Sequence, residues 1–250
     1  MQHNRALENQ NDNLSLMLYL YNPRGTHLYL VERGGVGRCK FTMIDAQLTG
    51  LKRPFCTGLN GRFDIRGSCN GLLFITFLDI NQSVYVLNPI TRECLMLPIK
   101  ESCSTRIVGF GFHSARNEYK VLRVAYDSPW FDNSTSAKAD ILTLGTNAWR
   151  QIKDFPHSCM KCLDMPSQYL STVLVNGCLH WCRDGHIVAL DMEDEKFGVV
   201  TTPDSSNGSP PSEVLYHLMV WKGYLTVVQW SYGDPSRAST HIWVMKKYNV

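Results

Sequence analysis

The sequence predicts an all-β chain assembled from about five copies of one structural unit, and three observations support this. Short apolar runs such as Tyr119–Tyr126 and Tyr224–Trp230 alternate with a period of two and are rich in Val, Tyr and Trp, as strands are. No window sustains a helical apolar period with capping residues. A strand–turn–strand unit also recurs along the chain, at intervals of about 43 to 56 residues.

The recurring unit is an apolar strand, a polar turn of about six residues, and a second strand that opens on a bulky apolar residue. In the five successive copies of the unit, the first strand ends at Asp45, Asn88, Leu144, Asp191 and Met245, respectively. Each interval has room for about four short strands, which is the size of one propeller blade. The sequence therefore predicts a kelch-like β-propeller, or a partial one, of about five blade-like repeats. We expect it to be truncated at its C-terminus, within the last repeat.

Tight turns open several of these repeats. Asn70-Gly71 and Asn176-Gly177 each precede an apolar strand, and Lys222-Gly223 repeats the pattern more weakly. Asn and Gly both tolerate positive φ, which a two-residue hairpin requires. We expect these pairs to join the two innermost strands of a blade.

The ends of the chain and its charge restrict where it works. Residues 1–13 are polar and predicted to be disordered, and residues 14–250 are predicted to form the β-repeat domain. We find neither a convincing signal peptide nor a bilayer-spanning run, so we expect cytoplasmic or nuclear residence and no membrane partner. The net charge is +3 with scattered cations, the densest pair being Lys246-Lys247, so we expect no nucleic-acid partner.

The chain contains nine cysteines, which we expect to be reduced. Cys159 and Cys162 followed by Cys178 and Cys182 resemble a paired-cysteine zinc pattern. However, Cys178 and Cys182 lie on a predicted strand, which separates them by about 13 Å. One zinc ion cannot bind both, and we predict no metal and no cofactor.

The sequence gives little evidence for catalytic residues. His180 shares a strand face with Cys178 and Cys182, but neighbours on that face are about 7 Å apart, too far for a nucleophile–base pair. We predict no catalytic residue and expect His180 to form a structural hydrogen bond to a neighbouring blade. Trp149 and Phe197 open equivalent strands and are predicted to belong to the core.

Trp130 and Phe131 are the candidate binding residues. They lie in the polar insert from Asp127 to Ser136, between two predicted strands. Aromatic residues on loops are enriched at protein-interface hot spots. Two interpretations remain open: the pair binds a partner, or it folds back over the edge of a blade.

Seven motifs, in order, resemble the F-box-associated interaction domain of plant F-box proteins. They begin with Gly67–Leu73, where Asn70-Gly71 lies, and end with Ile242–Tyr248. The other five are Leu87–Glu93 with Leu97-Pro98, Val108–Phe112 with Asn117–Val121, Leu144–Arg150, Val175–Gly177 with Leu179–Trp181, and Ala189–Asp191 with Glu195–Phe197. Each motif is weak alone, but the ordered set spans most of the chain from residue 67 onward.

This resemblance implies a substrate receptor of a Skp–cullin–F-box ubiquitin ligase. The associated domain would bind the target protein, while the Skp adaptor and cullin would be reached only through an F-box. No segment before Leu14 resembles an F-box, so we expect the chain as given to bind its target without recruiting the adaptor. Two alternatives stay open: a stand-alone binder or decoy, and a propeller that binds a small molecule or glycan.

Overall fold

The structure is a computed structural model, and every helix or strand element that it describes is a β-strand. The described residues are 15–22, 25–33, 38–44, 63–77, 83–98, 105–126, 137–146, 148–156, 172–183, 186–201, 214–231 and 239–247. Within these ranges there is no helix long and apolar enough to cross a membrane. Residues 1–13, the insert with Trp130 and Phe131, and Cys159 and Cys162 lie outside them.

The described strands form five antiparallel sheets, here called blades A to E in chain order. Blades A and E have three described strands each, and blades B, C and D have four. Blade A comprises β1 (Ser15–Asn22), β2 (Gly25–Arg33) and β3 (Cys39–Met43). Blade B comprises β4 (Phe63–Cys69), β5 (Leu72–Phe77), β6 (Val84–Asn88) and β7 (Glu93–Met96). Blade C comprises β8 (Thr105–His113), β9 (Glu118–Tyr126), β10 (Ala137–Thr143) and β11 (Arg150–Ile152). Blade D comprises β12 (Thr172–Val175), β13 (Cys178–Arg183), β14 (His186–Asp191) and β15 (Phe197–Thr201). Blade E comprises β16 (Val214–Trp221), β17 (Tyr224–Ser231) and β18 (Thr240–Met245).

The sheets confirm the predicted repeat. The five positions predicted to end the recurring strand fall at or within two residues of the ends of β3, β6, β10, β14 and β18. Each of these is the third described strand of its blade, and strand order follows chain order in every blade. Such a meander needs only short local connections, which explains why the sequence period was visible.

The predicted hairpins are also confirmed. Asn70 and Gly71 have φ of 48° and 80°, Asn176 and Gly177 have 52° and 78°, and Lys222 and Gly223 have 49° and 79°. Two successive positive φ angles are those of a type I′ turn, whose twist matches that of the flanking strands. In blades B, D and E, this turn joins the first strand to the second.

By backbone contacts, the chain divides into two compact units. The first comprises Met1–Ile65 with Gly71–Leu97, and the second comprises Arg66–Asn70 with Pro98–Val250. A cluster around Leu28, Phe63, Ile75 and Leu87 forms the core of the first unit. The predicted boundaries at residues 13 and 14 stay a prediction.

Two apolar clusters hold the second unit together, one on each side of blade D. Blades C and D meet through residues such as Leu122, Ile141, Leu179 and Trp181. Blades D and E meet through residues such as Cys182, Ile187, Leu218 and Val227. Successive residues of β13 point to opposite faces of the sheet, so one strand contributes Leu179 and Trp181 to the first cluster and Cys178 and Cys182 to the second.

Two glycines of β8 allow blade D to approach closely. A Cβ atom built on Gly109 would lie 2.7 Å from Cδ2 of Leu179, and one built on Gly111 would lie 2.9 Å from Cε of Met192. Real Cβ atoms do not approach other atoms so closely, so a larger side chain at either position would have to displace the Leu179 or Met192 side chain of blade D. The Gly-Phe-Gly-Phe segment is therefore a packing feature between blades.

Candidate functional site

The third-to-fourth-strand turns of blades B and D share one hydrogen-bonding pattern. In blade B, Asn88 Oδ1 accepts hydrogen bonds from the N–H groups of Ile90 (3.0 Å) and Thr91 (3.1 Å). The N–H of Arg92 donates to the carbonyl oxygen of Asn88 at 2.8 Å, with Arg92 at φ 64°. A side chain that satisfies the turn's own N–H groups fixes its shape locally.

Blade D repeats this pattern with different residues. Asp191 Oδ1 accepts from the N–H groups of Glu193 (2.7 Å) and Asp194 (2.9 Å). The N–H of Glu195 donates to the Asp191 carbonyl oxygen at 2.9 Å, with Glu195 at φ 58°. The turn thus places the Glu195 side chain at a fixed position.

Charged side chains from blade C converge on Glu195. Lys120 is 2% exposed, and its Nζ donates to Glu195 Oε1 at 2.9 Å and to the carbonyl oxygen of Met192 at 2.8 Å. Arg150 Nη2 donates to the same Oε1 at 2.7 Å. Burial alone raises the pKa of the Glu195 carboxyl, but these hydrogen bonds outweigh it and hold the pKa below its usual range. The bond to Glu195 in turn raises the pKa of Arg150.

A second charged pair lies within blade C. Arg123 donates to Asp140 Oδ2 from Nε at 3.0 Å and from Nη2 at 2.9 Å. Its guanidinium carbon lies 4.1 Å from the centroid of the Trp149 ring, and Trp149 Nε1 donates to the Pro98 carbonyl oxygen at 2.6 Å. The motifs that carried the family resemblance supply Lys120, Arg150 and Glu195 to the first group, and Trp149 and Pro98 to the second. Arg123 and Asp140 lie outside these motifs, so the motifs account for only part of the second group.

The two aromatic residues predicted to belong to the core have different outcomes. Phe197 packs against the cluster between blades C and D and contacts Phe155 and Trp181 edge-on, at centroid distances of 5.3 and 6.4 Å. The core prediction is wrong for Trp149, which is half-buried and covers Arg123 instead. A cation beneath the ring stabilises this position, and apolar periodicity does not reveal it.

His180 and the cysteines are arranged as a core. His180 is fully buried, and burial lowers its pKa to about 4, while backbone hydrogen bonds of Cys178 and Val173 act in the opposite direction. Those two residues belong to its own blade, and the predicted hydrogen bond of His180 to a neighbouring blade stays a prediction. Burial, with a smaller contribution from Asp191, raises the pKa of the Cys178 thiol to about 11. A thiol that stays protonated at neutral pH is a poor nucleophile and metal ligand.

Within the described ranges, no group of three or more His, Cys, Asp or Glu side chains is positioned to hold a metal ion. The candidate binding residues Trp130 and Phe131 lie outside these ranges, so their predicted role stays a prediction. Cys178 and Cys182 do lie on one strand and in one apolar cluster, as their spacing predicted.

Exposed apolar residues occur on blade E. Trp221 and Tyr224, which flank the Lys222-Gly223 turn, are 53% and 40% exposed, and Ile242 on β18 is exposed as well. The Lys222-Gly223 turn was predicted from the sequence, but the exposure of the aromatic residues beside it was not. A comparison of equivalent turns could have revealed them, because the corresponding turn in blade D is flanked by the non-aromatic residues Val175 and Cys178.

Antiparallel meanders that pack face to face, with tight turns at equivalent positions, define a repeat protein of the β-propeller type. Residues 48–250 match the family described as the F-box associated beta propeller domain, and the chain belongs to this family. The predicted propeller fold class and plant F-box-associated family are thereby confirmed.

Relatives in Arabidopsis thaliana carry F-box names. The chain is 33% identical to F-box protein At3g07870 over 75% of its own length and 48% of that protein. It is 28% identical to F-box protein At5g49610 over 81% of its own length and 58% of that protein. The chain thus spans about half the length of these relatives. A thermostable family-43 glycoside hydrolase matches 94% of the chain and 91% of its own, at 9% identity and a TM-score of 0.43, which supports no argument about activity.

Proposed function

We propose that this chain is the target-binding part of a Skp–cullin–F-box ubiquitin ligase. Its membership of the F-box associated propeller family carries the proposal. In this scheme the β-repeat domain binds the protein to be ubiquitinated, and the Skp adaptor and cullin are reached through an F-box. The partners are then proteins, and the site of action is the cytoplasm, the nucleus or both.

The chemistry of the described residues supports binding over catalysis. A catalytic nucleophile needs a lowered pKa or an adjacent base. Burial instead raises the pKa of Cys69 and Cys94 to about 11, as it does for Cys178. The buried charged pairs are used in contacts within and between blades. We therefore propose that the chain acts without catalysing a reaction itself.

A two-form binding and ubiquitination experiment tests this function. The chain alone, and the chain with a functional F-box fused upstream of Leu14, are used for affinity capture with mass spectrometry. We expect both forms to capture the same target and only the fused form to capture the adaptor. In a reconstituted reaction, only the fused form should support ubiquitination of that target. Saturable binding of the adaptor to the unfused chain, or no captured target with either form, would contradict the proposal.

A further inference from the structure

The β16–β17 hairpin carries two exposed aromatic residues at its tip. The residues Trp221, Lys222, Gly223 and Tyr224 are here called the hairpin tip. Trp221 and Tyr224 are direct cross-strand partners, so their side chains lie on the same face of the sheet. Trp221 is 53% exposed and Tyr224 is 40% exposed. Two neighbouring aromatic side chains therefore present a joint apolar surface to solvent.

The equivalent hairpin in blade D shows that the turn itself does not cause this exposure. Its Asn176-Gly177 turn has nearly the same φ angles as Lys222-Gly223. Yet the flanking residues Val175 and Cys178 are only 4% and 6% exposed, because they pack in the cluster between blades D and E. Blade E thus uses the same type of turn to expose two aromatic side chains. Exposed Trp and Tyr are the residues most enriched at energetic hot spots of protein interfaces.

The Lys, Arg, Asp and Glu residues in the described part of blade E are all lysines. Lys222 lies in the tip itself, and Met245, paired with Leu225, is followed by the exposed Lys246 and Lys247. The described part of blade E, residues 214–231 and 239–247, contains no Asp or Glu. A basic surface around an apolar centre is complementary to an acidic segment with an apolar side chain.

We propose that the hairpin tip docks a segment of the target protein in which an aromatic or large aliphatic side chain is flanked by Asp or Glu. This inference rests on the proposed target-binding function and specifies where binding takes place. The Trp221 and Tyr224 rings contact the apolar side chain, while Lys222, Lys246 and Lys247 attract the flanking carboxylates. The acidic flanks speed encounter and set specificity, and the apolar contact supplies most of the affinity.

A peptide selection with counter-selection tests the inference. A library of random 12-residue peptides is selected on the full chain and depleted on the Trp221→Ala/Tyr224→Ala double variant. We expect the surviving peptides to be enriched in Asp and Glu around an aromatic or large aliphatic residue. Fluorescence polarisation then gives Kd for the selected peptides against each variant.

Three variants make the binding measurement decisive. The double alanine variant should weaken binding at least about 30-fold, as loss of hot-spot aromatics does. A Lys222→Glu/Lys246→Glu variant should weaken it about 10-fold and reduce its dependence on salt. Val199→Ala, which shortens an exposed apolar residue of blade D, is the matched control and should leave Kd unchanged. All three variants should keep the wild-type melting temperature.

Several outcomes would overturn the inference. Failure to recover any peptide that discriminates wild type from the double variant would do so, as would enrichment of basic peptides. A clear fall in melting temperature of the double variant would show that the aromatic pair is covered by another part of the protein.

The captured target separates this inference from the proposed function. If the wild-type chain, with a fused F-box, supports ubiquitination of its target and the double variant does so equally well, only the hairpin-tip inference fails. If the wild-type chain captures no target, the proposed function itself fails.

Discussion

Blades D and E are both antiparallel meanders that begin with the same type of turn, and they differ in what surrounds them. Blade D has an apolar cluster on each face, so Leu179, His180 and Trp181 on its second strand are all buried. Among the residues that the structure describes, blade E contributes to one such cluster, through residues such as Leu218 and Val227. Its opposite face carries the exposed Ile242. Alternation along a strand therefore predicts which residues share a face, but whether that face is buried depends on the neighbouring blade.

One tryptophan in each blade, Trp181 in blade D and Trp221 in blade E, gives the sharpest test of this comparison. Trp181→Ala removes a fully buried ring between blades C and D and should lower the free energy of unfolding by about 3–5 kcal/mol. Trp221→Ala removes a ring that is half in solvent and should change it by less than about 0.5 kcal/mol. Chemical denaturation of both variants measures the difference. Equal losses would mean that blade E is covered as completely as blade D.

One histidine in each blade, His180 in blade D and His217 in blade E, allows the blades to be compared through the pH dependence of stability. The pKa of His180 is about 4 in the folded chain, against about 6.5 for an unperturbed imidazole. Between these values the unfolded state binds more protons, so stability falls as pH falls through this window and is unaffected by His180 above it. The expected loss is about 3 kcal/mol between pH 7 and pH 4, from the shift to about 4.

Substitution isolates this contribution. The slope of unfolding free energy against pH should flatten in His180→Gln relative to wild type. His217 in blade E is more exposed, and burial lowers its pKa as well, so His217→Gln should flatten the slope less. Unfolding curves collected at closely spaced pH values provide the measurement. An unchanged slope in His180→Gln would contradict the buried, neutral imidazole.

Two lysines provide the smallest expected effect. Lys120→Met removes a buried ammonium that bonds Glu195 and the Met192 carbonyl of blade D, and should cost about 2–3 kcal/mol. Lys246→Met on blade E removes an exposed cation and should change stability by less than about 0.5 kcal/mol. The same denaturation assay compares them. If Lys120→Met left the free energy of unfolding unchanged, the contact between blades C and D would not depend on this charge.

Much of the fold could be predicted because its signals are local. Asn176-Gly177 encodes a type I′ turn by itself, and Asn88 or Asp191 encodes its own turn through side-chain hydrogen bonds two and three residues ahead. Alternation in β13 placed Cys178 and Cys182 on one face without any tertiary knowledge. These features depend on residues within a few positions of one another.

The candidate site was less predictable because its contacts are distant in sequence. Glu195 bonds Lys120 and Arg150, which lie 75 and 45 residues away. Trp149 covers Arg123 and bonds Pro98, 51 residues away, so its size alone suggested a core residue. Tyr224 begins the predicted strand Tyr224–Trp230 and Trp221 precedes it, and no local feature of the sequence indicates that the face they share is exposed.

The strands, the tight turns and the repeat could be predicted from the sequence, because hydrogen-bonded turns and period-two alternation are properties of short segments. Which faces are buried, which charges pair and where apolar surface remains in solvent follow from the way the blades pack. The reason is physical: burial and charge pairing depend on what the neighbouring blade brings within a few ångströms. Two positions show the extremes of that dependence. Gly109 packs directly against Leu179 of the neighbouring blade, whereas the Trp221 side chain is exposed to solvent.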